Sequence, residues 1–225
     1  MIAYNLSPKS IRNTLCPLMS VYGEAMQAGR ININPTANLK LPELQTREPK
    51  PFNDQEVSRI LCELTRPVRN YFAIAFYTGL RTSELIALTW DDFDKPRKLI
   101  YVERAKVRGR IKPPKSKAGK RTVELSKEAI EALQDQLKLT QNVPTIFVNP
   151  RTGKAWNDGK ALRITHWYPA LEKLGIPKRE PYQARHTYAS RKLTIEKVSV
   201  LWLAKQMGHV DSSQIHKNYA RWIEH

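Results

Sequence analysis

Cysteine is nearly missing from the chain, which has only Cys16 and Cys62 among 225 residues. Two thiols build neither a disulfide framework nor a zinc site on their own. Both fall in apolar helical patterns, so they are expected to be small core residues in a reducing compartment. The five histidines show no metal-ligand spacing with acids or cysteines, which argues against a metal enzyme. There is no secretory signal and no apolar run long enough for a bilayer, so the expected location is cytoplasmic, with no membrane partner. Acidic side chains are also scarce. Asp and Glu number 21 against 38 Lys and Arg, which leaves +17 and a pI near 10. An excess of that size costs self-repulsion unless the partner is a polyanion. The basic residues are spread over the whole chain rather than gathered in a tail, which favours nucleic acid over a merely soluble basic protein.

Hydrophobic residues make up 41% of the chain, enough for one sizeable core and a small second unit. Ser7-Pro8 opens a helix whose stripe is Ile11, Leu15, Leu18, Met19, Tyr22 and Met26, with Pro17 inside it and Gly29 as a stop. One such stripe needs a partner to cover it, so residues 1–35 are expected to be part of a helical domain that is otherwise absent. Pro42, Pro49 and Pro51 mark residues 36–53 as a linker. Asn53-Asp54-Gln55-Glu56 is a capping-box start, and a second domain is expected over 54–225. Helices are expected through Val57–Leu64, Pro67–Tyr77 and Thr82–Leu88. The period then changes, with strands expected at Lys98–Val102, Val107–Lys112 and Arg121–Leu125 and a turn at Lys117–Lys120 between the last two. Ser126 caps the next helix, and further helices are expected near 160–174, 184–194, 198–207 and 212–222. The fold class is α+β: a mostly helical domain around a small antiparallel three-stranded sheet.

Three segments carry candidate chemistry. In Thr78-Gly79-Leu80-Arg81-Thr82-Ser83-Glu84-Leu85 a glycine ends one helix and Arg81 begins the next, where free backbone N–H groups favour an anion. Arg81 could grip a phosphate while Glu84 orients it. In Tyr182-Gln183-Ala184-Arg185-His186-Thr187 a second arginine heads an amphipathic helix. In Met207-Gly208-His209 a histidine follows a helix-ending glycine, and Tyr219 comes ten residues later in Tyr219-Ala220-Arg221-Trp222. Any one of these alone reads equally well as structural.

Their order is more specific than the pieces. Arg81, a lysine-bearing hairpin, Arg185, His209 and Tyr219, in that sequence over residues 51–225, resemble the tyrosine recombinases, the phage integrases in particular. The resemblance implies a catalytic domain at 54–225, preceded by a partial helical core-binding domain at 1–35. It implies site-specific DNA recombination of a phage or mobile element through a 3′-phosphotyrosine. Tyr219 would be the nucleophile. Arg81, Arg185 and His209 would bind the nonbridging oxygens, and a lysine would protonate the leaving 5′ oxygen. Lys115, Lys117 and Lys120 flank the turn, and Ser116-Lys117-Ala118-Gly119 fits the family's pattern, which favours Lys117. Where the family usually has histidine, three residues before the second arginine, this chain has Tyr182. A phenol can hydrogen-bond a phosphate but does not titrate near neutrality. No cofactor is implied, neither ATP nor metal. The implied partners are double-stranded DNA, further copies forming a tetramer on paired sites, and accessory DNA-bending or directionality proteins. Two other readings stay open: a topoisomerase-like enzyme of type IB, and a DNA-binding protein that no longer cleaves.

Overall fold

A computed structural model describes residues 6–43, 48–114 and 117–223, with the Lys117 side chain outside the description. The chain divides into two compact units between Glu48 and Pro49.

The first unit is built on α1 (Pro8–Gln27). Ser7 caps it by accepting from the Ser10 amide at 3.2 Å, and Pro8 occupies the first turn, where its missing N–H costs nothing. Gly29 turns the chain left-handed at φ 65°, and the Arg30 amide reaches back to the Ala25 carbonyl at 2.9 Å. No residue of α1 is fully buried. After the helix, Asn34 Oδ1 accepts from both the amide and the hydroxyl of Thr36, and Arg12 Nε donates to the Pro42 carbonyl at 2.9 Å.

The second unit begins earlier than the composition suggests. Residues 49–53, expected to be linker, are pinned down by hydrogen bonds. The Lys50 amide donates to Gln183, the Phe52 amide to Thr187 Oγ1, and Arg179 to the Pro51 carbonyl. Phe52 is buried edge-on against Phe76 and Trp167. One buried aromatic outweighs the extended prolines around it.

Helix α2 (Asp54–Glu63) starts on the expected capping box, with Asn53 and Glu56 exchanging side-chain-to-amide bonds of 2.8 and 2.9 Å. Helix α3 (Arg66–Thr78) is buried on nearly every side and runs through the middle of the core, packed on α5 (Lys127–Thr140) and α7 (Gln183–Thr194). Gly79, at φ 63°, ends it, and the short α4 (Thr82–Leu85) follows. The three-stranded antiparallel sheet has the order β1 (Phe93–Asp94), β2 (Leu99–Val102), β5 (Arg121–Glu124). Its third member is thus Phe93–Asp94 and not Val107–Lys112. The latter segment, expected as one strand, folds on itself. Arg108 and Gly109 both adopt positive φ, making a two-residue turn between β3 (Ala105–Val107) and β4 (Arg110–Lys112).

Beyond the sheet, a π-helical turn at Leu162–Trp167 leads into α6 (Tyr168–Lys173). Helices α8 (Val200–Met207) and α9 (Ser213–Tyr219) complete the unit. Both cysteines are exposed, contrary to expectation. Cys62 lies two residues past the buried Ile60, so it turns to the far side of α2. Cys16 falls between the half-buried Leu15 and Met19 but off their line.

Candidate active site

Two chain turns bring candidate residues together, and each is made by local backbone chemistry. Gly79 ends α3, and its carbonyl accepts from Arg185 Nη1 at 2.5 Å. A Cβ at position 79 would lie 2.5 Å from the Tyr188 ring, so glycine is required there for packing as well as for φ. At the end of α8, Gly208 is left-handed at φ 67°, and the His209 amide bonds the Ala204 carbonyl at 3.0 Å. This terminal motif fixes where the imidazole starts.

Arg185 is 2% exposed. Its Nη1 and Nη2 donate to the carbonyls of Gly79 and Met207, and Nη2 also meets His209 Nε2 at 2.9 Å. Among the described residues no carboxylate forms an ion pair with it. Burial, and then the nearby Arg81 cation, lower its pKa to about 10, so it stays charged at neutral pH. A buried guanidinium held by carbonyls and a neutral ring still lacks a counter-ion, and an anion is what the position calls for.

His209 follows from this. Burial, reinforced by Arg185 and Arg81, pushes its pKa down to about 4. A guanidinium can only donate, so Nε2 accepts and the ring proton lies on Nδ1. That nitrogen is buried with no partner among the described residues. The ring therefore has an unused donor beside the two arginines.

Arg81 reaches the same place from α4. Its guanidinium bonds Glu84 at 2.7 Å and the Gly208 carbonyl at 3.4 Å, and its side chain remains 35% exposed. Glu84 orients it, as the sequence suggests, and also accepts from the Arg81 amide at 2.8 Å. The sequence reading missed Arg121. This arginine is buried in β5 and holds the same carboxylate through two bonds of 3.0 and 3.1 Å. Its Nε donates to the Gln206 carbonyl at 2.7 Å and its Nη1 to the Gly119 carbonyl at 3.2 Å. Arg121 thus ties the Lys117–Gly119 turn, the Arg81–Glu84 pair and the end of α8 together. Burial would raise the Glu84 pKa, but hydrogen bonds and charge from Arg121 and then Arg81 outweigh it and leave it at about 2. The signal for Arg121 was available in the strand alternation, which puts Arg121 and Val123 on one inward face.

Tyr219 is 1% exposed, and its hydroxyl lies 2.6 Å from His186 Nδ1 rather than on an arginine. Burial raises its pKa well above the usual phenol value. Tyr182 is 46% exposed, and its ring stands edge-on to His186 at 5.1 Å. The structure therefore joins Arg81, Arg185 and His209 into one cluster and leaves Tyr182 at its edge. Of the three lysines, Lys115 and the Lys117 side chain lie outside the described residues. The Lys117 backbone forms a 3-10 turn, and Lys120 is paired with Glu103 at 2.9 Å.

The model of the phage integrase family matches residues 51–224. A prophage integrase of Escherichia coli K12, IntR, is 30% identical over 96% of this chain and 58% of its own length. A second protein of that strain, described as the putative defective protein IntQ, is 27% identical over 96% of the chain and 61% of its own length. The chain thus spans less than two thirds of the length of these relatives. In fold, it is similar to the Tn1549 transposon integrase solved with circular intermediate DNA, with a TM-score of 0.82 at 21% identity over 96% of this chain and 76% of that one. It also resembles a lambda integrase dimer bound to a core site, with a TM-score of 0.68 at 17% identity over 99% of this chain and 65% of that one. With a family match over most of its length and a relative at this identity, the chain belongs to the phage integrase family.

Proposed function

We propose that the protein cleaves and rejoins double-stranded DNA at specific sites as a tyrosine recombinase, through a 3′-phosphotyrosine formed on Tyr219. The observation that carries this reading is the buried Arg185 cation, which lacks a carboxylate and stands beside Arg81 and the spare Nδ1–H of His209. A scissile phosphate supplies the missing negative charge. As the Tyr219 oxygen attacks, charge builds on the nonbridging oxygens, and preorganised donors in a buried site stabilise that charge most. Glu84, held by Arg121, keeps Arg81 aimed without neutralising Arg185. Lys117 is the proposed donor to the leaving 5′ oxygen. Tyr182 is proposed to hydrogen-bond the DNA rather than to move protons. The net charge of +17 supports a DNA partner, as do the named relatives. Four protomers on two duplexes would be the working assembly, in the cytoplasm of a bacterial cell.

Attack requires the Tyr219 hydroxyl to meet the phosphate that the arginines hold, so DNA binding and cleavage are separable. A nicked duplex that loses its 5′ fragment traps the covalent adduct. The protein should form it, and Tyr219→Phe should bind the same duplex equally well and form none. Binding with no adduct from the parent protein would make it a DNA-binding protein that no longer cleaves. An adduct from Tyr219→Phe would move the nucleophile elsewhere.

A further inference from the structure

We propose that His186 is a catalytic residue of this chain: it accepts the Tyr219 proton through Nδ1 as the phenol attacks phosphorus. The inference rests on Tyr219 being the nucleophile. Its ground is the contact between His186 Nδ1 and the Tyr219 hydroxyl, at 2.6 Å, within the range of a strong O–H···N bond.

Three features fit that role. The first is placement. Neighbours on a helix point about 100° apart. From adjacent positions on α7, Arg185 therefore turns to the carbonyls of Gly79 and Met207 while His186 turns to α9. One helix so presents an anion ligand and a proton acceptor on two flanks of the same place. The second is the state of the ring. Burial, with the Arg185 charge next to it, brings the His186 pKa down to about 4, so the imidazole is neutral at working pH, and its basicity towards the phenol rises once a bound phosphate offsets the Arg185 charge. With its proton on Nε2, Nδ1 is a bare acceptor. The third is confinement. Tyr182 packs edge-on to the imidazole at 5.1 Å, and Tyr219 lies tilted to it at 5.5 Å. The groups facing His186 are thus Arg185 from its own helix, Tyr182 from the cap position before it and Tyr219 from α9; no carboxylate among the described residues pairs with it.

An acceptor is needed because the phenol holds its proton tightly. Its pKa lies above the ordinary value of a tyrosine, so solvent alone rarely removes the proton near neutrality. In the step, the Oη–P bond forms and the P–O5′ bond breaks. The phenolic proton passes to Nδ1, and the leaving 5′ oxygen takes a proton from Lys117. When a 5′-hydroxyl attacks in rejoining, His186 returns its proton to Oη and the lysine recovers its own. Protons and bonds balance over the cycle, and no outside reagent is used.

The test measures adduct formation on the nicked duplex from pH 6 to 9 for the parent, His186→Phe, His186→Gln and Tyr219→Phe. DNA affinity and thermal melting are followed in parallel. The parent should be nearly flat with pH. His186→Phe should bind DNA within about twofold of the parent and be slower by roughly a hundredfold at pH 7. Its rate should climb about tenfold per pH unit, because hydroxide must now remove the proton. His186→Gln keeps a polar side chain of similar reach and should show the same slope. A fall by one constant factor at every pH would make His186 a structural support and overturn the proposal. So would an unchanged rate, or a loss of DNA binding in both His186 variants. An adduct from Tyr219→Phe would overturn the nucleophile itself, an outcome distinct from these.

Discussion

Among its described residues the second unit has two hydrophobic clusters, and they carry different parts of the proposed chemistry. The larger gathers Phe52, α2, α3, the sheet, α5 and Trp167, and ends on α7 at Ala184. The smaller begins on the same helix at Tyr188 and holds Leu193, Leu203, Met207, Ile215 and Tyr219. Arg81 grows from the rim of the first cluster, and His209 and Tyr219 from the second. Arg185 and His186 fall on α7 between the two. Of the proposed phosphate ligands, Arg81 thus belongs to an extensive, aromatic-rich core and Arg185 to the seam, whereas His209 and the proposed nucleophile ride on a small one. The difference suggests a division of labour. A clamp works best when it is preorganised, while a buried nucleophile must be reached by the phosphate, and a small cluster costs less to open locally around it.

Removing the residue at the seam should have the largest effect. Arg185→Ala should lower adduct formation by about 3 kcal/mol of barrier, on the order of a hundredfold or more, with DNA binding much less affected. Arg185→Lys should not restore it, because one ammonium cannot reach both carbonyls and a phosphate oxygen as the planar fork does. Single-turnover adduct rates decide this, and cleavage by Arg185→Ala within a few-fold of the parent would remove Arg185 from the site.

Arg121 tests whether the two clusters act together. Among the described residues it makes no hydrogen bond to Tyr219, but it joins Glu84 to the Gln206 carbonyl on α8. Arg121→Met should slow adduct formation by roughly tenfold or more, since it leaves a buried carboxylate with one partner instead of two. It should also make the rate fall at mildly acidic pH, because Glu84 would lose the contacts that hold its pKa near 2. Adding Glu84→Gln removes that uncompensated charge and should restore the pH independence, even where the rate stays low. If Arg121→Met has a parent-like pH profile, Arg121 is only packing.

The larger cluster was mostly legible in the sequence, and the smaller one only in outline. Capping residues and periodicity place α2, α3, α5 and α7 within a few residues, because local chemistry decides helix ends. The Val107–Lys112 segment was misread because its turn uses Arg108 at positive φ ahead of Gly109, and arginine gives no warning of that backbone. The strand Phe93–Asp94 is too short to show alternation. Ordered motifs pointed to Arg81, Arg185 and His209, and the structure brings these three together. Arg121 and His186 escaped notice for a different reason. Strand alternation marks Arg121 as inward-facing, but the roles of both residues depend on pairings across 37 and 33 residues, and no local pattern records the partner.

The smallest effect expected is a difference in acid sensitivity between the clusters. His186 and His209 both flank the smaller one, and burial, with Arg185 adding to it, lowers the pKa of each to about 4 from an ordinary value near 6.5. For a group whose folded pKa is depressed, the unfolded state binds the proton first as pH falls. Its contribution to stability is therefore complete above about 6.5 and is lost progressively down to about 4. Glu84 follows the same sign in a lower window, from about 4.5 to about 2. Protection of α9 amides against hydrogen exchange, corrected for the intrinsic rate at each pH, should thus fall between pH 6.5 and 4, while that of α3 amides holds. His186→Phe should flatten the α9 decline in part, since one of the two titrating rings is gone. Parallel loss in α3 and α9 would mean that the two clusters open as one unit. A flat α9 profile would mean that the imidazoles ionise as freely in the folded chain as in the unfolded one.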